Sequence, residues 1–347
     1  MNILSYTLAE LESYFQENFN KGRYHAEAIY HQAFNDGFID PYALKQYQQS
    51  QKLLTKVDGL FDIELPEVKD SKDAETATKF VMRADDGLEF ETVVIQMKNY
   101  KTLCVSTQVG CKMGCVFCET GKLGFLRNLT VHEIIAQVFY AKFILKENIR
   151  NIVFMGMGEP LDNYDNLMKS ISIITEPRGL NFTYGNLTIS TVGDVRGLNR
   201  LANEPSIKDL KLAISLHSAI DSKREQLMPI NKRHNLNSLK NALLNYPLKQ
   251  AGIFFIEYIL IKDFNDSGED AMALVEFLKG LRCKVNLIPY NTCSDLLFEP
   301  PTNDDINNFY SILEANGLVV IKRMPKGENL MAACGQLGNK ELKRIKL

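Results

Sequence analysis

From about residue 102 onward, short apolar runs alternate with runs of helical periodicity. No other feature restricts the fold of the chain as much. The strand-like runs are TLCVSTQ, NIVFMG, NLTISTV, DLKLAIS, IFFIEYILI and CKVNLIP. Helical patterns intervene near 131–147, 163–175, 195–203, 235–249 and 267–280, and a last helix near 303–316 leads into GLVVIKR. Such alternation calls for parallel strands joined by crossover helices. At least six units in one series fit an α/β fold built as a full or partial (β/α) barrel. A doubly wound open sheet is the competing architecture. In a barrel, the chemistry sits on loops that follow the C-terminal ends of the strands.

Two segments precede the series. Residues 7–58 read as helical, with Leu8, Leu11, Tyr14 and Phe15, then Ile29, Ala33 and Phe34, at helical spacing. KFVMRA and LEFETVVIQM flank Asp85-Asp86-Gly87, a turn between β-rich runs that predicts a hairpin. The expected organisation is a helical accessory domain over 1–58, a hairpin linker region over 59–100, the barrel core over 101–338 and a basic tail over 339–347. Basic groups cluster at 322–326 (Lys322, Arg323, Lys326) and at 340–346. They are the expected phosphate contacts if the partner is a nucleic acid, because 40 Lys and Arg against 42 Asp and Glu give no global positive field.

The first twenty residues lack a basic stretch followed by an apolar one, so no signal peptide is expected. The most apolar run, 252–261, is too short to span a bilayer and carries Glu257. A cytoplasmic protein without membrane attachment is expected. Seven cysteines, four of them within 104–118, then point to metal or redox chemistry rather than to a disulfide framework.

Cys111, Cys115 and Cys118 have C-x3-C-x2-C spacing directly after the first strand of the series. Three thiolates so close in sequence can converge on one centre, and soft thiolates suit iron–sulfur clusters, zinc and copper(I). Spacing alone leaves two readings open: a cluster with one open iron, or a structural zinc site with His132 or Cys104 as fourth ligand. The absence of a second C-x2-C pair weighs against zinc. The position after the first strand, where catalytic loops sit, favours a cluster. Phe117, just before Cys118, could shield the centre from water. Cys283 and Cys293 read as small buried hydrophobes.

The cysteine spacing, with an aromatic before the last Cys, resembles the radical S-adenosylmethionine superfamily. The motifs QVGC, CVFC, RNLT followed by HEI, MGMGEPLDN, SLH, LMPIN and AACGQL resemble one branch of it, the RlmN/Cfr family of RNA adenine methyltransferases. The likeness runs from about 75 to 338, and more weakly through RYHAEAIYHQAF in the N-terminal helices.

This resemblance implies a 4Fe-4S cluster on Cys111, Cys115 and Cys118, with S-adenosylmethionine on the fourth iron. It implies that Gly158, Glu159, Ser190, the run Ser215-Leu216-His217 and Asn291 contact the cofactor. It further implies that Cys334 carries a methyl group, that Glu91 is the base for the adenine proton, and that Cys104 resolves a protein–RNA thioether by forming a disulfide. The implied substrate is carbon 2 of an adenine in ribosomal RNA, with transfer RNA as a further substrate. The implied partners include an electron donor such as flavodoxin or ferredoxin, and a monomer is expected. Pro160 after Glu159 favours carbon 2 over carbon 8, where Ala is usual. A non-catalytic RNA-binding metal protein is the rival from another class, and it has no need of both Cys104 and Cys334. The segment Lys326 to Met331 departs from the family's usual Arg-Gly-x-Asp-Ile, and Thr292 stands where the family usually has proline. The first departure replaces a planar, bidentate cation by a point charge.

Overall fold

The computed structural model describes residues 1–48, 50–204, 209–291, 298–323, 331 and 335–338. Four helices open the chain: α1 (Leu8–Phe19), α2 (Arg23–His31), α3 (Lys45–Gln48) and α4 (Gln51–Val57). Helix α1 starts at a capping box, in which Thr7 and Glu10 satisfy each other's backbone amides. The apolar faces of this module, including Leu11, Phe15, Ile29 and Phe34, belong to one continuous core with the rest of the protein.

Strands β1 (Glu67–Ala74), β2 (Ala77–Arg83) and β3 (Glu89–Gln96) follow as an antiparallel meander. The β2–β3 turn is the expected hairpin: Ala84 and Leu88 close it, and the Asp86 side chain accepts from the Leu88 amide at 3.0 Å. Strand β1 is not foreseen by the sequence pattern. Its residues are nearly all exposed and polar, as suits a charged edge.

The barrel series begins with β4 (Lys101–Cys104), antiparallel to β3. The run TLCVSTQ is not one strand. It leaves β4 after Cys104 and resumes as β5 (Gln108–Gly110), which pairs with β6 (Phe125–Asn128) in a separate two-stranded sheet around α5 (Glu119–Leu123). Then come α6 (Val131–Phe139), β7 (Ile149–Phe154), α7 (Tyr164–Thr175), β8 (Leu187–Thr191), α8 (Val195–Ala202) and β9 (Lys211–Ser215). After these come α9 (Asp221–Leu227), α10 (Leu236–Leu244), β10 (Phe254–Leu260), α11 (Gly268–Leu278), β11 (Cys283–Pro289), α12 (Asn303–Ala315) and β12 (Val320–Lys322). Helix α10 stops short of the expected 249 because Pro247 removes a donor and disfavours the helical conformation before it.

The main sheet runs β1-β2-β3-β4-β7-β8-β9-β10-β11-β12. From β4 to β12 every neighbouring pair is parallel and the spatial order follows the chain. A doubly wound sheet reverses its strand order at a switch point. None occurs here, so the partial-barrel reading holds and the competitor falls. Among the described residues β12 does not pair back to the first strands, and the sheet is not closed. Burial on both faces explains why β10 reads as a near-continuous apolar run. Unidirectional winding brings the loops after all these strands to one end. Among the described residues, no helix is long and apolar enough to cross a membrane.

Candidate active site

At that end lies a solvent-open cavity of about 140 Å³. Cys111, Cys115 and Cys118 border it on one flank, and Gly158, Glu159, Ser190, Ser215 and His217 on the other. The cysteine loop is tight: Gly114 has φ +64°, and a Cβ on Gly121 would meet the backbone of Cys115 at 2.8 Å. Amides from Thr120 and Gly121 point at the Cys118 sulfur, and the Met113 amide at that of Cys111. Burial outweighs these donors, pushing the Cys111 thiol up to about 12 and raising Cys115 and Cys118 as well. Buried thiols like these become thiolates only against a metal centre. Phe117 is buried and packs edge-on against the His217 ring, with centroids 4.8 Å apart.

Neither residue expected as the fourth ligand of a zinc site is placed to serve as one. The His132 ring is hydrogen-bonded to the Glu64 carbonyl at 2.8 Å, and Cys104 sits in β4 between β3 and β7. Among the described residues no three His, Cys, Asp or Glu side chains are close enough together to share one metal ion.

Opposite the thiols, Gly158 has φ +100°, and a Cβ there would strike Gln108 at 2.5 Å. Glycine is therefore required for the turn that aims Glu159 inward. The Glu159 carboxylate accepts from the amides of Val192 (3.0 Å) and Leu161 (3.3 Å). Among the described residues no cation pairs with it, and burial pushes its pKa up to about 7. A buried carboxylate at a cavity wall suits an ammonium group. His217 is held at φ +57°, and its Nδ1 accepts from the Ile259 amide at 3.1 Å. Burial, then the nearby Arg224, pushes its pKa down to about 3, so the ring is neutral with its proton on Nε2. Leu216 and Asn291 do not line the cavity. The Leu216 side chain lies in the main core, and Asn291 is buried two residues past β11.

Glu91 and Cys104 stand on the neighbouring strands β3 and β4, and neither is in the cavity lining. Glu91 Oε1 pairs with Lys79 Nζ at 3.0 Å, and its Oε2 accepts from the Gly338 amide at 2.6 Å. Lys79 also donates to the Met331 carbonyl at 3.2 Å. Cys334 lies outside the described residues, as do Cys293, Thr292, Lys326 and the basic tail. The segment directly after Cys334 is fixed, however. Gly335 lines the cavity and accepts from the Glu119 amide at 2.8 Å, and the Leu337 carbonyl accepts from Thr120 Oγ1 at 2.7 Å. Of the expected basic contacts, Lys322 donates to Asn307 at 2.6 Å, and Arg323 faces Glu257 at 3.4 Å and lines the cavity.

Residues 105–278 match the model of the Radical SAM superfamily. A probable dual-specificity RNA methyltransferase RlmN from Protochlamydia amoebophila is 42% identical over 347 residues, covering 100% of this chain and 96% of that protein. The dual-specificity RNA methyltransferase RlmN of Syntrophotalea carbinolica is 44% identical over 273 residues, 78% of this chain and 72% of that one. The crystal structure of a radical SAM methyltransferase from Sphaerobacter thermophilus superposes with a TM-score of 0.88 at 36% identity, covering 97% of this chain and 99% of that chain. The partial barrel with its thiol loop above the first strand is thus that of a radical S-adenosylmethionine enzyme, and within that superfamily the chain belongs to the RlmN family of RNA methyltransferases. Its cofactors are a 4Fe-4S cluster and S-adenosylmethionine. The buried thiols with their amide donors, and the unpaired Glu159 carboxylate across the cavity, fit these two groups.

Proposed function

We propose that the protein methylates carbon 2 of an adenine in 23S ribosomal RNA and takes transfer RNA as a second substrate. The methyl group travels on Cys334, through a thioether that joins protein and RNA. In this reading Cys111, Cys115 and Cys118 hold the cluster. Gly158, Glu159, Ser190, Ser215 and His217 form the S-adenosylmethionine site, with Glu159 receiving the amino group, and Leu216 and Asn291, which do not line the cavity, support it from behind. Bound there, the cofactors supply the radical chemistry that an electron-poor ring carbon requires. Glu91 accepts the proton from that carbon. The Cys104 thiolate attacks the sulfur of Cys334; a disulfide forms, the carbon–sulfur bond breaks with its electron pair going to the methylene carbon, and that carbon takes up a proton to become the methyl on the base. The chain divides into the helices of 1–58, the hairpin region of 59–100, the 101–338 core and the basic tail of 339–347. A flavodoxin- or ferredoxin-type donor, a monomeric state and a cytoplasmic location complete the reading.

One observation carries it. The segment following Cys334 is bonded to the cysteine loop through Glu119 and Thr120 and to Glu91 through Gly338. Three regions far apart in sequence thereby meet beside one cavity. The test is anaerobic turnover with S-adenosylmethionine, a reductant and ribosomal RNA, followed by mass spectrometry of the nucleosides. 2-Methyladenosine is expected. The 8-methyl isomer would transfer the assignment to carbon 8, and no methyladenosine from cluster-loaded protein would overturn it. On a denaturing gel, Cys104→Ala should accumulate ribonuclease-sensitive protein–RNA adduct, whereas Cys334→Ala and the double variant should not. Equal absence of adduct in both single variants, with clusters intact, refutes the cysteine roles.

A further inference from the structure

Arg224, on α9, is the largest fully buried side chain among the described residues. Its Nε donates to the Leu216 carbonyl at 3.1 Å, Nη1 to Asn231 Oδ1 at 2.7 Å and Nη2 to the Val192 carbonyl at 2.6 Å. Nη2 also reaches the Ser215 carbonyl at 3.5 Å, and all four acceptors are neutral. Among the described residues no Asp or Glu comes within ion-pairing distance of the guanidinium. The Asp221 carboxylate acts on it only from beyond the Asn231 side chain that it holds. Burying a cation against dipoles and one distant carboxylate is unfavourable, and a closer anion would offset that cost.

The anion's place follows from what surrounds the guanidinium. Val192, whose carbonyl it binds, lines the cavity that Cys115 borders. The end of α9 is joined to the cysteine loop, the Val116 amide donating to the Leu227 carbonyl at 3.0 Å. Met228, next in sequence, packs in the same apolar cluster as Cys111 and Cys115. Arg224 therefore stands behind the cavity wall where the loops after β8 and β9 meet α9, whose end is bonded to the cysteine loop. Burial pushes its pKa down to about 10, and the charge that most opposes this is that of Cys115.

We propose that Arg224 is the fixed counter-charge of the iron–sulfur centre, favouring its assembly on the cysteine loop and easing its reduction. This rests on the assignment of Cys111, Cys115 and Cys118 as cluster ligands. A cluster held by thiolates carries net negative charge, and an added electron increases it. Its potential follows net charge, hydrogen bonding and exposure. A cation held in a low-dielectric wall acts on that electron far more strongly than one in water. The planar fork, anchored to three separate segments, keeps the charge in place as a flexible ammonium would not.

The experiment is a redox titration of the anaerobically reconstituted protein, followed by electron paramagnetic resonance, with iron and sulfide measured in every sample. Arg224→Gln should lower the ratio of reduced to oxidised cluster at least tenfold at a fixed potential, a downward shift of about 59 mV or more for one electron. Arg224→Lys keeps the charge and should stay nearer the parent.

A second variant guards against misfolding. The Asn231 side-chain amide donates to Asp221 Oδ1 at 2.8 Å, so exchanging the two residues, Asp221→Asn with Asn231→Asp, moves a carboxylate onto the guanidinium. Net charge, Arg224 and the contacts of residue 231 with Arg224 and residue 221 are retained, while the bonds from residue 231 to the Asp221 carbonyl and from the Leu236 amide to the 221 side chain are given up, so unfolding of the exchange variant is measured beside its midpoint. If Arg224 only crosslinks the loops, the exchange leaves the midpoint where it was. If it is the counter-charge, the midpoint falls by a similar amount to that of Arg224→Gln. An unchanged midpoint in the fully loaded exchange variant overturns the inference. Cys115→Ser tests the reading beneath it separately: retention of a full, unaltered cluster there would remove the ligand assignment itself.

Discussion

The Lys79–Glu91 pair permits a quantitative test of how the site is held together. Lys79 is 5% exposed and Glu91 2%, and their charged atoms are 3.0 Å apart. They lie diagonally across the β2–β3 ladder, in which Val81 faces Glu91 and Lys79 faces Val93. Each also grips the C-terminal segment, Lys79 through the Met331 carbonyl and Glu91 through the Gly338 amide. Lys79→Met removes one charge and leaves the other buried. Breaking a buried pair from one side costs about 3–5 kcal/mol, most of it the penalty for the stranded ion. Glu91→Gln strands the lysine instead, but its side-chain oxygen can still accept from Gly338. The double variant strands neither, so its cost should fall well below the sum of the singles. The coupling expected for such a contact is about 2–3 kcal/mol. Urea unfolding of the four proteins at constant slope measures it. Additivity within about 0.5 kcal/mol would show that the two groups do not depend on each other. The reasoning would also fail if limited proteolysis found residues 331–338 as protected in Lys79→Met as in the parent.

Two further outcomes follow from the opposite wall. Gly158→Ala forces a side chain into a φ of +100° and against Gln108, so thermal or urea unfolding should show a loss of more than about 1 kcal/mol, with weaker S-adenosylmethionine binding by calorimetry. Glu159 has a folded-state pKa raised to about 7 from the ordinary carboxylate value, so its protonated form favours folding. That contribution is full below about pH 4.5 and is lost as pH rises through 7, on the order of 3 kcal/mol. Cofactor-free Glu159→Gln should therefore gain stability over the parent between pH 5 and pH 8 while binding S-adenosylmethionine less tightly. A stability difference that does not change with pH would contradict the burial of that charge.

The main lines of the fold were legible because parallel strands buried on both faces leave long apolar runs, and NIVFMG, DLKLAIS and IFFIEYILI are such runs. Strand order was not legible. It depends on the handedness and sequence of crossovers, and only the structure separates singly wound from doubly wound. The elements that escaped are those without periodicity of their own. Strand β1, EVKDSKDA, is polar on both faces because it is an edge. Strand β5 is three residues long, and α9 is a charged seven-residue helix whose one inward polar side chain, Arg224, resembles its solvated neighbours Lys223 and Glu225 in sequence.

The site divides in the same way. The three thiols and the Gly158-Glu159 turn could be named because each is contiguous in sequence, and the structure sets them around one cavity. Lys79 could have been found too. The Asp85-Asp86-Gly87 turn, closed by Ala84 and Leu88, fixes the register by counting: residue 83 meets 89, 81 meets 91 and 79 meets 93. Counting alone puts Lys79 and Glu91 on one face and diagonal to each other, further along the ladder than the directly opposed Arg83–Glu89 pair. Arg224 offers no such count, since its partners are carbonyls at the ends of two strands and one amide, and carbonyls carry no sequence signature. A binding residue that meets a ligand directly constrains residue type at its own position. A charge acting through the wall constrains only the absence of other charges around it, and that absence is seen once the loops after β8 and β9 are folded over α9.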